Sequence, residues 1–415
     1  MSLKLLVVSK SFPPLQTAQA LQIGKVAEAI ADCDCEITVV AGIPNGDKEN
    51  VKVLPENSSS HICYVPYSVP WLGKHRLTRI WARFCLEVSP INNLYGWVTQ
   101  ASSAAIEVLK NQKIDVIMTS SSPFESHLVG LTLKRKTGLP WIASFSDPWP
   151  GSLSPKPYYT KGLPLFRNIR MALLKKVMSE CNIVHMPNCY GIEWTEKISG
   201  FPITGKAVVI PHIGSSTPVT DTIPEYVGWL AHVGDLSNER VSRALLDGVQ
   251  RAYMEIPDHF KGLLCVGKVC PIFNEMVHNM GMNGIVKLTG QLSANEAMLI
   301  SRSVTALLVI EADMKMSPYL PSKFADYALI GKPILSITPS KSSIRDYLNR
   351  YGGGIAVGHV ANEIFSAILE IFSQKSKIEP SINPRKSDLK SPFMSQVVGR
   401  QYMRMFQNLL DGSEK

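Results

Sequence analysis

One segment concentrates the residue types needed to hold a phosphorylated ligand. Ser317 to Pro333 reads SPYLPSKFADYALIGKP and lies between two apolar runs, ALLVIE and PILSIT. Pro321 ends an extended approach, Ser322 is placed to cap a helix, Phe324, Tyr327 and Ala328 give that helix a buried side, and Gly331 ends it. Lys323 then falls in the first turn, where the helix dipole disfavours a cation by about 0.3–1 kcal/mol. An anion beside it removes that penalty. Amides at the helix start and the ammonium group together form a cradle for a diphosphate. One turn later, Asp326 can accept hydrogen bonds from a vicinal diol such as a ribose. The same spacing also fits a solvated lysine and an ordinary helix charge, so the segment alone leaves both readings open.

Three further places carry groups of the same kind. In HVGDLSNERVSRALL, Gly234 ends a strand and lets a ligand approach the backbone, and Arg240, at the start of a helix near Val241, offers a second fixed cation. Plain turn chemistry explains this loop equally. His127 follows SSSPFES at the start of a helix, where an imidazole can orient a hydroxyl or bond only to its own loop. Asp147, in SDPWP, follows a strand and precedes a proline turn, which by itself favours an aspartate. His232 lies inside an apolar run and reads as a core histidine.

The elements that must position these groups are legible as alternation. Short β-branched runs alternate with longer helix-like segments, the pattern of parallel sheets wrapped by helices. The first half offers LLVVS, EITVVAG, DVIMTS, PWIASF, NIVHMP and AVVIP; the second offers WLAHVG, LLCVG, IVKLTG, ALLVIE, PILSIT and GIAVG. Runs that are apolar at nearly every residue belong to strands covered on both faces, so each half is expected to be a doubly wound α/β domain. HIGSSTPVTDTIPEYVG, dense in Ser, Thr, Pro and Gly, sets the boundary near Ser215. The expected domains are residues 1–215 and 216–391, and the tail from Pro392 is expected to be an amphipathic helix over residues 392–415. Ligands of such sheets bind at the carboxyl ends of the strands.

Composition narrows the function classes. A chain of 415 residues is long enough for two cores, and 45% hydrophobic with 19% charged residues is globular rather than disordered. No signal peptide or membrane span is expected. Eight cysteines without a CxxC pair point to thiols in a reducing, cytoplasmic setting rather than to a metal. The net charge of +9 favours acidic partners. Two acid-free stretches carry much of it. Lys74, Arg76, Arg79 and Arg83 sit among Trp71, Trp81 and Phe84; Lys156, Lys161, Arg167, Arg170, Lys175 and Lys176 alternate with Tyr158, Tyr159 and Phe166. Such surfaces suit anionic lipid, and a solvated basic surface fits them as well. Nucleic acid is not expected, because no binding module accompanies the charge.

Together these residues resemble the family-four glycosyltransferases of the GT-B fold, which build bacterial surface polysaccharides and glycolipids. The resemblance runs from LKLLVVSKSFPP through DVIMTSSSPFESHLVGLTLKRKTGLPWIASFSDPW and VVIPH to HVGDLSNER, VKLTGQLSANEA and PSKFADYALIGKPIL. It implies two Rossmann-type domains facing across a cleft, with the C-terminal helix crossing back to the first. It implies that Arg240 and Lys323 bind the diphosphate of a UDP- or GDP-sugar, that Asp326 holds the ribose, and that Gly234 and Ser322 line the donor site. His127 and Asp147 would act from the acceptor side. Transfer with retention and without an obligatory metal or cofactor is implied, to a saccharide or lipid-linked acceptor such as a lipopolysaccharide precursor, at the inner face of the plasma membrane. Five residues in three places depart from the family pattern. Pro318 replaces a glutamate that contacts the donor sugar, Thr17, Ala18 and Gln19 replace glycines of the first loop, and Ser146 replaces a basic residue before Asp147. A nucleotide-sugar 2-epimerase and a non-catalytic nucleotide-sugar-binding scaffold fit the same architecture. A dinucleotide oxidoreductase does not, since FPPLQTAQ stands where a GxGxxG turn would be.

Overall fold

The computed structural model describes residues 2–45, 60–68, 96–159, 164–215, 222–373 and 387–413. The basic, aromatic stretch that includes Trp71, Lys74, Arg76, Arg79, Trp81, Arg83 and Phe84 lies outside them, as does Lys161. The chain divides into two compact units, one of residues 1–154, 159–211 and 395–415, the other of residues 155–158 and 212–394.

The first unit holds a seven-stranded sheet of β1 (Leu3–Ser9), β2 (Cys35–Pro44), β3 (Ser60–Tyr67), β4 (Val116–Ser121), β5 (Trp141–Phe145), β6 (Ile183–Met186) and β7 (Ala207–Val209). All pairs are parallel, in the order β3-β2-β1-β4-β5-β6-β7. Parallel neighbours need crossovers, and helices α1 (Ala18–Ala31), α2 (Trp97–Asn111), α3 (Glu125–Thr137), α4 (Pro164–Glu180) and α5 (Cys189–Ser199) supply the described part of them. Leu5, Leu6, Val7 and Val8 are all fully buried, as expected for a strand covered on both faces. Six strands of this sheet are the apolar runs of the sequence. The seventh, β3, is an addition: as an edge strand it needs no continuous apolar run, and SHICYVPY interleaves polar with apolar residues.

The second unit repeats the plan with six parallel strands, β8 (Trp229–Val233), β9 (Gly262–Val266), β10 (Val286–Gly290), β11 (Ala306–Ile310), β12 (Ile334–Ile337) and β13 (Gly354–Val357), in the order β10-β9-β8-β11-β12-β13. Its helices are α6 (Arg243–Glu255), α7 (Pro271–Asn279), α8 (Ala294–Ser303), α9 (Ser322–Ile330), α10 (Ser343–Tyr351) and α11 (Ala361–Phe372). In each sheet the strand order reverses beside the first strand, between β1 and β4 and between β8 and β11. The two neighbouring loops diverge at such a point and leave a crevice at the carboxyl ends of the strands.

The last helix, α12 (Ser395–Ser413), belongs to the first unit. Val398, Tyr402, Met405 and Phe406 are buried along one of its faces. Gly399 permits the contact with α1, because a Cβ there would lie 2.4 Å from the Ala29 carbonyl oxygen.

Candidate functional site

Helix α9 is nine residues long, too short to persist alone in water, so packing must hold it. Phe324 and Ala325 are fully buried and Tyr327 and Ala328 nearly so; burying the Phe324 ring contributes about 1.5–3 kcal/mol. The Tyr327 hydroxyl accepts a hydrogen bond of 2.9 Å from the Val233 amide, tying the helix to the end of β8. Gly331, at φ +72°, ends the helix in the left-handed region, as the sequence predicts. Ser322 corrects its expected capping role. It is the first helical residue, and the cap position belongs to Pro321, with no side-chain capping bond. Proline before the helix fixes an extended entry and displaces the cap signal by one residue.

This packing sets Lys323 over the carboxyl end of β8. Its ammonium nitrogen lies 3.4 Å from Nε2 of His232, and a Cβ added to Gly234 would come within 2.8 Å of it. Gly234 has φ +109°, a conformation side-chain-bearing residues rarely adopt, so the absent side chain and the unusual backbone serve the same close approach. Burial, and then the neighbouring charge of Arg240, lower the Lys323 ammonium to about 7; Asp235 acts in the opposite sense.

Arg240 closes a short 3-10 turn, Asn238–Arg240, and helix α6 starts three residues later at Arg243, not at Val241 as expected. Its Nε donates to the Tyr158 hydroxyl at 3.0 Å, and the Tyr158 ring packs edge-on against Tyr319 with centroids 5.2 Å apart. That bond uses one donor of the guanidinium fork and leaves the two terminal amino groups for a ligand. Among the described residues, neither Arg240 nor Lys323 has a carboxylate within ion-pair distance; their hydrogen-bond partners are a phenol and an imidazole.

Glu311, at the end of β11, forms the facing side of the same switch point. Its carboxyl is buried, with Ser317 Oγ donating to one oxygen and Ser342 Oγ to the other. Burial pushes this carboxyl up to about 7, against the two hydroxyl bonds and the charges of Arg240 and Arg345. Asp326, one turn beyond Lys323, accepts the Ser215 amide at 2.7 Å, so part of its acceptor capacity serves the loop that enters the unit.

The structure therefore gathers Gly234, Arg240 and Lys323 at one switch point, with Ser322 and Asp326 on the same short helix. Three members of this group were given no donor-site role by the sequence: His232 read as a core histidine, Glu311, with Asp313, only as a carboxylate on the loop of Pro318, and Tyr158 only as part of a basic, aromatic stretch. His232 and Glu311 carried a usable signal, an ionisable residue inside or at the carboxyl end of an apolar strand. Tyr158 carried none, because it lies between β5 and α4 in sequence yet belongs to the second unit.

His127 and Asp147 lie in the first unit. His127 occupies the first turn of α3, fully buried against Phe124 and Phe145. Trp141 Nε1 donates to Thr119 Oγ1 at 2.9 Å, and the threonine hydroxyl has two acceptors in reach, of which His127 Nδ1 at 2.7 Å is much nearer than the Ile142 carbonyl oxygen at 3.5 Å. The imidazole then carries its own proton on Nε2, which has no hydrogen-bond partner among the described residues. Burial lowers His127 to about 3, so at neutral pH it is an uncharged hydrogen-bond donor. Asp147 is exposed just beyond β5. In the altered first loop, Thr17 caps α1 by accepting from the Ala20 amide at 3.1 Å, and Gln19 bonds to Ser120 and Ser146. Of the second basic stretch, Arg167, Lys175 and Lys176 are exposed on α4 and Arg170 is buried. Among the described residues, no helix is long and apolar enough to cross a membrane, and no group of three or more His, Cys, Asp or Glu side chains is placed to hold a metal ion.

No protein-family profile matches the sequence, and no curated protein matches it. Solved structures do. Sucrose-phosphate synthase from Thermosynechococcus elongatus aligns over 99% of this chain and all of its own, with a TM-score of 0.69 at 14% identity. Anabaena HepE in complex with UDP aligns over 98% and 100%, with a TM-score of 0.65 at 13% identity. The lipopolysaccharide outer core galactosyltransferase WaaB aligns over 98% and 99%, at 0.58 and 14%. The UDP-GlcNAc 2-epimerase of Methanocaldococcus jannaschii aligns over 98% and 100%, at 0.53 and 12%. The fold is that of the GT-B glycosyltransferases, shared along the whole chain.

Proposed function

We propose that this chain is a glycosyltransferase that takes a sugar from a UDP- or GDP-sugar and delivers it to a polysaccharide or lipid-linked acceptor. One observation carries the reading. Two cations without carboxylate partners, Arg240 and Lys323, converge at the switch point of the second sheet, where a diphosphate can supply the missing charge. The nucleotide-bound relative and the galactosyltransferase among the similar structures support it.

Breaking a glycosyl bond to a nucleoside diphosphate leaves charge on the departing phosphate while the sugar gains oxocarbenium character. Preorganised cations and helix-terminal amides stabilise that charge, so the reaction is proposed to need neither metal nor cofactor. Arg240 and Lys323 hold the diphosphate, Asp326 the ribose, and Gly234 and Ser322 the backbone edge of the donor. From the first unit, the exposed Asp147 is proposed to act on the acceptor, with retention of configuration, and the fully buried His127 to support the sugar side through the Phe124 and Phe145 rings it packs against rather than by direct contact. The exposed cations of α4 suit a peripheral contact with anionic lipid at the inner face of the plasma membrane.

The second reading, a nucleotide-sugar 2-epimerase, is favoured by the epimerase of the same fold. Thermal-shift screening of UDP, GDP and their sugars, followed by product analysis with and without saccharide acceptors, separates the two. Donor-dependent stabilisation and an acceptor-dependent product are expected; epimerised donor in the absence of acceptor would replace transfer with epimerisation. Lys323→Ala is expected to lower turnover by roughly two to four orders of magnitude.

A further inference from the structure

We infer that His232 is the positioning residue of the diphosphate site, a neutral acceptor that holds the Lys323 ammonium in place without neutralising it. The inference rests on the donor reading above. His232 is 1% exposed, and its Nδ1 lies 3.1 Å from the Leu308 carbonyl oxygen. A carbonyl only accepts, so Nδ1 carries the proton, and Nε2 presents a lone pair to Lys323 at 3.4 Å. Burial, foremost, and the charges of Lys323 and Arg240 keep His232 well below its ordinary value, hence uncharged, against the backbone hydrogen bonding of Leu308 and, more weakly, Asp235. Gly234 walls the other side of the ammonium.

The choice of acceptor has a physical consequence. A carboxylate at this position would orient Lys323 equally well but would compensate its charge and compete with a diphosphate. An imidazole orients and leaves the charge available. It also leaves the lysine titratable. Three other groups complete the local charge set: Arg240 in the preceding turn opposes the ammonium, Asp235 beside Gly234 favours it, and Glu311 at the end of β11 acts on Arg240. With Lys323 at about 7 in the ligand-free protein, a bound diphosphate raises it, so binding takes up a proton. Affinity is then expected to fall about tenfold per pH unit above neutrality.

Two experiments test the inference. The first measures, by calorimetry from pH 6 to 9, the affinity of UDP-glucose or GDP-mannose, whose diphosphates do not titrate in that range. Wild type is expected to show the falling profile, and His232→Gln, another neutral acceptor, to keep it with affinity within about threefold. His232→Glu is expected to bind at least tenfold more weakly at pH 6 and to show a flat profile, because its carboxylate keeps Lys323 protonated and compensated. Glu and Gln variants with equal affinities and equal profiles would overturn the inference. If wild type binds neither nucleotide sugar, the donor reading fails, whatever His232 does. The second experiment alters nothing at position 232. Imidazole ¹⁵N shifts are expected to give His232 as Nδ1-protonated, with an Nε2 resonance that moves in Lys323→Met. An Nε2-protonated ring, or no movement, would overturn the inference even in the absence of any ligand.

Discussion

Replacing Glu311 by Gln should change the stability of the second unit in a pH-dependent way whose sign and size follow from the site. In the folded protein, burial raises the carboxyl from its ordinary 4.5 to about 7, although Ser317 and Ser342 each donate a hydroxyl to it. Between those two values the folded state holds a proton that the unfolded state has released. The stabilisation is therefore fully present below pH 4.5 and is lost as pH rises through 7. Each pH unit in the window is worth about 1.36 kcal/mol, so the wild type loses about 3 kcal/mol from this group across it. Glutamine keeps a comparable shape and hydrogen-bonding capacity and does not titrate. Relative to wild type, Glu311→Gln is expected to gain about 3 kcal/mol between pH 4.5 and pH 8. Urea unfolding of the two proteins side by side across that range measures the difference, and other titrating groups cancel in it. A difference that stays constant with pH would refute the assignment of a buried, protonated carboxyl at the switch point.

Two substitutions test the walls of the site. Gly234→Ala forces a side chain into φ +109° and places its Cβ 2.8 Å from the Lys323 nitrogen. It should cost about 1–3 kcal/mol of stability and weaken nucleotide-sugar affinity at least tenfold in a titration, by loss of one charge-assisted bond of about 1.5–3 kcal/mol; undiminished affinity would mean the ammonium does not meet the ligand there. Tyr158→Phe removes the acceptor of Arg240 Nε while keeping the ring against Tyr319. The donor KM is expected to rise about three- to tenfold, the worth of one ordinary hydrogen bond, with little change in kcat; steady-state kinetics with varied donor would detect a contrary result.

The sheets were legible in the sequence because burial on both faces writes itself as continuous apolar runs, twelve of which became strands. The strand at Ser60–Tyr67 was not, since an edge strand is covered less and its composition is mixed. Lys323, Arg240 and Gly234 could be picked out as a cation against a helix dipole, a cation after a strand and a glycine at a strand end. Their companions could not be read in the same way. His232 looks like any core histidine until the position of Lys323 is known, and Glu311 becomes informative only when Ser317 and Ser342, from separate loops, are found bonded to it. Tyr158 illustrates the general reason: side chains brought together by tertiary structure leave no periodic or spacing signal along the chain. Ser322 shows the opposite failure, a local signal overruled by its neighbour, since Pro321 takes the cap position.

A crystal structure with a bound nucleoside diphosphate tests the central claim most directly. The diphosphate oxygens are expected within hydrogen-bonding distance of Lys323 Nζ and the terminal amino groups of Arg240, over the carboxyl ends of β8 and β11. A nucleotide bound elsewhere, with both side chains remaining on His232 and Tyr158 alone, would contradict it.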